Sequence, residues 1–596
     1  YVLEIPLTGE EITIDFTPEE LKNWEKSPVI EYSQMGYHQK QRKVAILELD
    51  ERTKNLQEAV LFNYKINGEK KEVLRKMPKE WGKYLRYQYA TFDFSEINKE
   101  GTYYIQYQDE VAGPFNIAES ALKKNNWELS LNTFLPVQMC HMRVQDRGNL
   151  WHNACHLDDG LQAKAPLPFF DGFYQSNETE TSFAPESTIP GFNKGGWHDA
   201  GDDDVNTGSS GKATYHLSMI ENEFDLAYDN TEFDFSKKEV FIGKPDGKRD
   251  VIQQLMHGVD FLLGQYTALD HSVVGVISNN WETYTMAGDW GSYTDNLFFS
   301  PSLNEEQKNA THSGRKDDRL IFTNKDTNRE YFVAAILSSS YRALKKYDKA
   351  LANKCLEQAK TIWQREQNSK PKFYPSVGTP TNLVVESTNA AVELFISTSD
   401  TSYLNVLIAN QDSLMKNFES LAWSVSRVVD QIKDEKFQAK WQKELSSYSN
   451  KLKIQLAENP FGVILDKQVW GLGWNILWRT YKHYYLIKKY PELFPPEQLF
   501  NAIEYINGRH PGSNHTLISG VGTKSLLVAF GINREHYSSI PGGLYSGTAM
   551  IQPDFPELKD HHPFLWQQSE YIVFGATPYI FCTLGAQRLV DEGYLE

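Results

Sequence analysis

Asp199 and Asp202 stand three residues apart in Gly195-Gly196-Trp197-His198-Asp199-Ala200-Gly201-Asp202, a glycine-rich segment that also carries a tryptophan. Side chains of these kinds match the needs of glycosidic bond cleavage. One carboxylate activates water or attacks carbon, a carboxylic acid protonates the leaving oxygen, and an apolar surface carries the sugar ring. Asp199 and Asp202 offer the first group, and Trp197 could offer the surface. Asp and Gly are also ordinary turn residues, so the pair read alone equally describes a capped turn.

The surrounding elements fall into two regimes. Between about residue 30 and residue 118, runs rich in β-branched and aromatic residues (Lys43–Leu49, Ala59–Ile66, Tyr87–Phe94, Thr102–Tyr107) are separated by turn residues such as Asn67-Gly68, and Gly113-Pro114 closes the series. That spacing fits a β-sandwich. After about residue 120 the period changes: Val251, Leu255, Val259 and Leu262 recur at near-helical spacing, and Ile252 and Leu263 widen the stripe. Similar patterns lie at 331–346, 386–396, 474–490 and 570–590, with long loops between them that suit function on a rigid scaffold. The chain is therefore expected to be multidomain, a small all-β sandwich followed by an all-α toroid. The segment 413–457, with Lys and Glu scattered through an apolar helical pattern, reads as a solvated helix pair.

With 596 residues, 40% hydrophobic and 23% charged, the chain can bury large cores. Its net charge of -17 and the lack of a dense Lys/Arg stripe argue against a nucleic-acid partner. No apolar run of about 18 residues marks a membrane span. A chain beginning at Tyr1 suggests processing or trimming, with any targeting segment out of view. Four cysteines are too few for a disulfide scaffold of this size.

The eight residues at 195–202 resemble the G-G-W-x-D-A-G-D signature of glycoside hydrolase family 9, the cellulase family E enzymes. Gln34-Met35-Gly36-Tyr37 and Glu100-Gly101-Thr102-Tyr103-Tyr104-Ile105 also look like the immunoglobulin-like module of one branch of that family. The resemblance implies an N-terminal segment and immunoglobulin-like sandwich over 1–118, then an (α/α)6-barrel catalytic domain over 119–596. Near the C-terminus, Ser569-Glu570-Tyr571-Ile572-Val573 leading into Ala576-Thr577-Pro578 is similar to the family's N-E-x-x-I-x-x-N-A-P, with Ser569, Ala576 and Thr577 as departures. By resemblance Asp202 is the base, Asp199 helps to hold the water and Glu570 is the general acid. An acid at such a place needs burial or neighbouring negative charge to hold its proton. An inverting reaction would follow, with base and acid about 6.5–9.5 Å apart.

The same branch carries a Cys-His pair, an earlier cysteine and a histidine before the first catalytic aspartate. Cys140, Cys155, His156 and His198 fill those positions here, which implies a closed, structural zinc site; read by spacing alone they are buried thiols and hydrogen-bonded histidines. Calcium is common in the family, but no oxygen-ligand loop stands out. Where the family has P-H-H-R, this chain has Arg534-Glu535-His536, so His536 reads either as a substitute sugar contact or as an exposed histidine neutral to function. Trp281, Trp290, Trp470 and Trp566 are further candidate subsites, each equally able to be core. Trp474 and Trp478 share one helix face, and Trp474 reads as core. After the aspartate pair, Asp203-Asp204-Val205-Asn206 replaces the usual aromatic; such carboxylates are solvated loop charges or attract a cationic sugar.

The expected partner is thus a β-linked oligo- or polysaccharide, met outside the cytoplasm by a secreted, periplasmic or cell-surface enzyme. Three activities compete: an endoglucanase-like or cellodextrin-trimming hydrolase of β-1,4 bonds, an exo-β-glucosaminidase on chitosan oligosaccharides, and a sugar-binding protein without catalysis.

Overall fold

The computed structural model describes residues 17, 21–22, 24–123, 126–170, 172–278, 290–374, 376–466, 468–530, 539–550 and 566–595. Eight strands among them form two antiparallel sheets between Val29 and Ile117. One sheet orders Val29–Glu31, Val44–Leu49, Tyr87–Asp93 and Lys79–Tyr84, and the other orders Lys70–Lys76, Ala59–Tyr64, Gly101–Tyr107 and Glu110–Ile117. Leu47, Leu61, Phe92, Ile105 and Phe115 fill the space between them. The strands Lys70–Lys76 and Lys79–Tyr84 escape the sequence pattern because their side chains are mostly charged and exposed.

The sandwich is anchored to the rest of the chain. Val44, Ile46 and Tyr89 belong to the core of the helical domain. Polar ties add direction: Gln34 Nε2 donates to the Lys524 carbonyl (2.9 Å), and the Gly512 amide donates to Glu48 (3.0 Å).

Six helices form a closed inner ring: Thr207–Phe224, Thr327–Leu344, Leu383–Thr398, Phe418–Ser426, Leu472–Lys489 and Val573–Asp591. Each packs on the next, and the last returns to the first. Outside them lie the turns of 130–138, Asp250–Leu269, Lys349–Asn368, the short helices of 402–416, Glu435–Leu456 and Glu497–Ile506. This is an (α/α)6 barrel, with small sheets confined to the connecting segments.

Two inner helices differ from the sequence pattern. Thr207–Phe224 begins Thr-Gly-Ser-Ser-Gly, a composition with poor intrinsic helix propensity. It forms because Asn206 caps the Ser209 amide at 2.7 Å and because its glycines admit close neighbours. A Cβ on Gly208 would meet the Gly378 carbonyl at 2.3 Å, and one on Gly211 would meet Phe332 at 2.8 Å. Phe418–Ser426 corrects the expectation of a solvated pair, for Phe418, Leu421, Ala422, Trp423 and Val425 are all buried in the ring.

Candidate active site

The Gly195–Asp202 segment is clamped from several sides. Gly195 and Gly196 take left-handed conformations (φ 70° and 78°), and a Cβ on Gly195 would stand 2.5 Å from the His257 carbonyl. The glycines thus let the loop lie against the Asp250–Leu269 helix, where His257 Nε2 donates to the Gly196 carbonyl at 2.6 Å. Burial keeps that imidazole neutral, with its pKa pushed down to about 4. Gln138 holds the other edge: its carbonyl accepts from the His198 amide (2.8 Å), and its side-chain amide donates to the Ala200 carbonyl (2.6 Å). The Asp199 amide closes the loop on the Asp204 carbonyl at 2.9 Å.

This clamp aims two unlike carboxylates. Asp199 is half-buried and accepts from the Asn206 side-chain amide and, at 3.4 Å, from Ser209 Oγ. Asp202 is buried, and its Oδ1 accepts no hydrogen bond among the described residues. Burial first, then the charges of Asp199 and Asp204, push the Asp202 carboxyl well above the usual carboxylate range.

Glu570 approaches from the end of the chain. Its backbone pairs with Ser546 (N···O 2.7 Å), and three residues later the Val573 amide donates to the Asp199 carbonyl at 2.7 Å. The first turn of the last inner helix is therefore hydrogen-bonded to the aspartate loop. Glu570 Oε2 accepts from the indole N–H groups of both Trp470 and Trp566, each at 2.6 Å. The two indoles stack at 5.8 Å, and Trp566 is 38% exposed.

The sequence-derived sugar platforms fare unequally. Trp197 is a correction: it is wholly buried, with its indole N–H on Gln254 (3.0 Å), so no sugar can reach it. Trp470 and Trp566 are at the site, but their polar edges face Glu570. Trp281 and His536 lie outside the described residues, as does the side chain of Trp290. Trp474 is buried, as expected of core.

Cys140, Cys155, His156 and His198 converge in the interior, with one ligand atom from each within 4.8 Å of the others. The sulfurs are 4.0 Å apart, so the pair is not a disulfide. Cys140 Sγ lies 3.7 Å from His156 Nδ1, and Cys155 Sγ lies 3.7 Å from His198 Nε2. Bond lengths of about 2.3 Å to sulfur and about 2.0 Å to nitrogen in a tetrahedron give an S···S edge of about 3.8 Å and S···N edges of about 3.5 Å. The donor set therefore fits a four-coordinate metal. His156 Nε2 meets Asp203 Oδ2 at 3.2 Å, the carboxylate–imidazole pairing that orients a metal-binding histidine. Arg319, ion-paired with Asp159, donates to Cys140 Sγ at 3.0 Å.

Asp158, Asp317 and Asp318 make a neighbouring acidic trio that the sequence did not single out. Each uses Oδ2 to accept from Thr294, the Asp295 amide or the Phe299 amide, respectively. Burial pushes Asp158 up to about 6 and Asp318 up to about 8, so protons can meet much of their charge. We assign this trio no cation.

A six-hairpin helical toroid with acidic side chains gathered where its inner helices begin defines a glycoside hydrolase of the cellulase type. The particular family follows from comparison with known proteins. The chain belongs to glycosyl hydrolase family 9, whose model matches residues 131–525, and the cellulase N-terminal ig-like domain matches residues 25–112. Among solved structures, a thermostable endoglucanase from Alicyclobacillus acidocaldarius is 17% identical with a TM-score of 0.70, covering 94% of this chain and 99% of that one. A metagenome-derived family 9 endoglucanase is 15% identical with a TM-score of 0.72 over the same shares. A Zn-binding triple mutant of the family 9 endoglucanase J30 is 16% identical with a TM-score of 0.69, covering 92% of this chain and 99% of that chain. A search of curated proteins gives no match.

Proposed function

We propose that the chain hydrolyses β-1,4-linked glucans or cellodextrins with inversion, in the manner of an endoglucanase. Asp202 deprotonates the attacking water, Asp199 helps to hold it, and Glu570 protonates the leaving glycosidic oxygen. The observation that carries this reading is the Val573–Asp199 backbone hydrogen bond (2.7 Å), which brings the segment bearing Glu570 against the loop bearing both aspartates.

The local chemistry supports each role. Burial and like charges make Asp202 a stronger base than an ordinary carboxylate, and its Oδ1 has no protein donor among the described residues to compete with water. Two indole donors on Glu570 Oε2 leave Oε1 as the oxygen that carries the acidic proton. The outer face of Trp566 is available to a sugar ring.

Cys140, Cys155, His156 and His198 are proposed to hold zinc. A closed four-ligand ion has no open position for substrate, so what it supplies is rigidity. His198 adjoins Asp199, and His156 is tied to Asp203, so the same residues that would bind the ion fix both ends of the aspartate loop. A polymeric β-glucan is met outside the cytoplasm, which supports an enzyme that is secreted, periplasmic or at the cell surface. No helix of the described residues is long and apolar enough to cross a membrane.

The glucosaminidase alternative loses its motive. Asp203 is engaged by His156, and Asp204 Oδ1 accepts from the Ser278 amide at 2.8 Å, so both buried carboxylates already have protein partners. The test is to digest defined cellodextrins and follow the first product by proton NMR. An α-anomer formed from a β-linkage supports the proposal, whereas a β-anomer, or no cleavage of any cellodextrin, would sink it.

A further inference from the structure

Within the ring of inner helices lies a cavity of ≈ 270 Å³ whose walls come from five of the six and the segment at 378–380. That is room for about one pyranose ring. Its lining includes Lys212, Lys482, Glu386, Trp423, Trp478 and Tyr481. Lys212 Nζ sits 4.4 Å from the centre of the Trp478 ring and 4.3 Å from that of Phe574, and Lys482 Nζ sits 5.4 Å from the same Trp478 ring. Two ammonium groups thus share one indole. Neither forms an ion pair with a described carboxylate.

The cavity adjoins the catalytic groups by two short routes. A Cβ on Gly378, in its wall, would stand 3.2 Å from Asn206 Oδ1, and the amide of the same Asn206 side chain donates to Asp199. Phe574, which carries Lys212 on its face, follows Val573, the donor to the Asp199 carbonyl. A sugar seated here is therefore one residue removed from Asp199.

We propose that this cavity is a subsite for an acidic sugar, a glycosyl unit whose carboxylate lies between Lys212 and Lys482. The proposal rests on the hydrolase reading above. Glu386 is the one carboxylate among the lining residues, so an ionised Glu386 leaves the cavity with a single excess positive charge. Buried charge is costly without a partner. A neutral glucosyl unit would strip water from both ammonium groups and return hydroxyl acceptors but no opposing charge. Burial pushes Glu386 up to about 7; where it is ionised a phosphate dianion would overshoot and one carboxylate balances the set. Burial pushes both lysines down to about 8, against the opposing charge of Glu386.

The experiment is titration calorimetry on the full chain at pH 7, with D-glucuronate, D-glucose, acetate and inorganic phosphate as probes. Glucuronate is expected to bind at least tenfold more tightly than any of the other three, and Lys212→Met and Lys482→Met each to weaken it tenfold or more. Lys482→Met carries the test alone if Lys212→Met fails to fold. Glucose or phosphate binding as tightly as glucuronate overturns the proposal, and so does glucuronate binding that survives Lys482→Met. Acetate matching glucuronate shows an anion site without sugar recognition and overturns it too. Parallel digestion separates the two readings. Cellodextrin cleavage without glucuronate binding removes the subsite and leaves the hydrolase. Lysine-dependent glucuronate binding without cleavage of cellodextrins or of glucuronate-bearing β-1,4 oligosaccharides does the reverse.

Discussion

The two sides of the aspartate loop treat buried charge in opposite ways. On the outer side, Arg319 is ion-paired with Asp159 and bonded to Cys140, Asp159 also meets His141 (3.0 Å), and Asp203 meets His156. On the axial side, Lys212 and Lys482 share an indole and lack an ion-paired carboxylate among the described residues. Arg342 and Arg427, which both clasp Glu393, follow the first pattern. Polar groups satisfied by one another serve to fix a shape, and polar groups left short of partners in a cavity are positioned for something that arrives later.

That contrast is broken most severely by taking the metal away. If the outer side exists to hold the loop, chelation at neutral pH or Cys155→Ser should cost more than about 5 kcal/mol, since a structural zinc contributes binding energy directly to folding. Thermal melting and turnover should collapse together, with metal analysis falling from one zinc per chain to none. An unchanged melting temperature after full chelation removes the structural role.

Next in size is the loop itself. Asp202→Asn should lower kcat by about 10³-fold or more while leaving the melting temperature within a few degrees, because general base catalysis of this kind is worth about 10²–10⁴ and the change is isosteric. Reducing-sugar release from cellodextrins measures it. Activity within tenfold of the native chain discredits Asp202 as the base.

The comparison is sharpened by removing one cation from each side. Arg319→Met leaves the buried Asp159 carboxylate with His141 as its remaining partner and should destabilise the fold by about 3–5 kcal/mol. Lys482→Met removes a cation that no described carboxylate pairs, and should be neutral or stabilising by about 1 kcal/mol. Urea unfolding of both variants reads the difference. Equal losses would mean that the axial lysines are structural after all.

How much of this the sequence carried depends on whether a residue's role is set locally or by distant neighbours. The strands Val44–Leu49, Ala59–Tyr64, Tyr87–Asp93 and Gly101–Tyr107 are legible because alternation and turn residues act within a few positions. The four thiols and imidazoles are legible only through family resemblance, since their spacing is no known metal pattern, and the geometry that unites them spans 58 residues from Cys140 to His198. Trp197 misleads because a tryptophan in a glycine-rich loop can turn either way, and here the glycines press it into the Asp250–Leu269 helix. Lys212, Trp423 and Lys482 leave no mark at all. A lysine on a helix normally faces water, and only the closing of the ring turns these toward an enclosed space.

The smallest expected effect concerns the timing of protons. Trp470→Phe removes one of two indole N–H donors from Glu570 Oε2 and keeps most of the ring. A hydrogen bond to a charged group is worth about 1.5–3 kcal/mol, so its loss disfavours the carboxylate anion and raises the Glu570 pKa by about one to two units. The general acid must be protonated, so the alkaline limb of the kcat/KM profile should move to higher pH by that amount. The acidic limb should stay in place, because it reports the base. Burial and the charges of Asp199 and Asp204 already lift Asp202 above the ordinary carboxylate range, so activity should fall on acidification while exposed carboxylates are still ionised. Movement of the acidic limb instead would exchange the roles of Asp202 and Glu570, and a profile unmoved at both limbs would mean that the indole donors do not tune the acid.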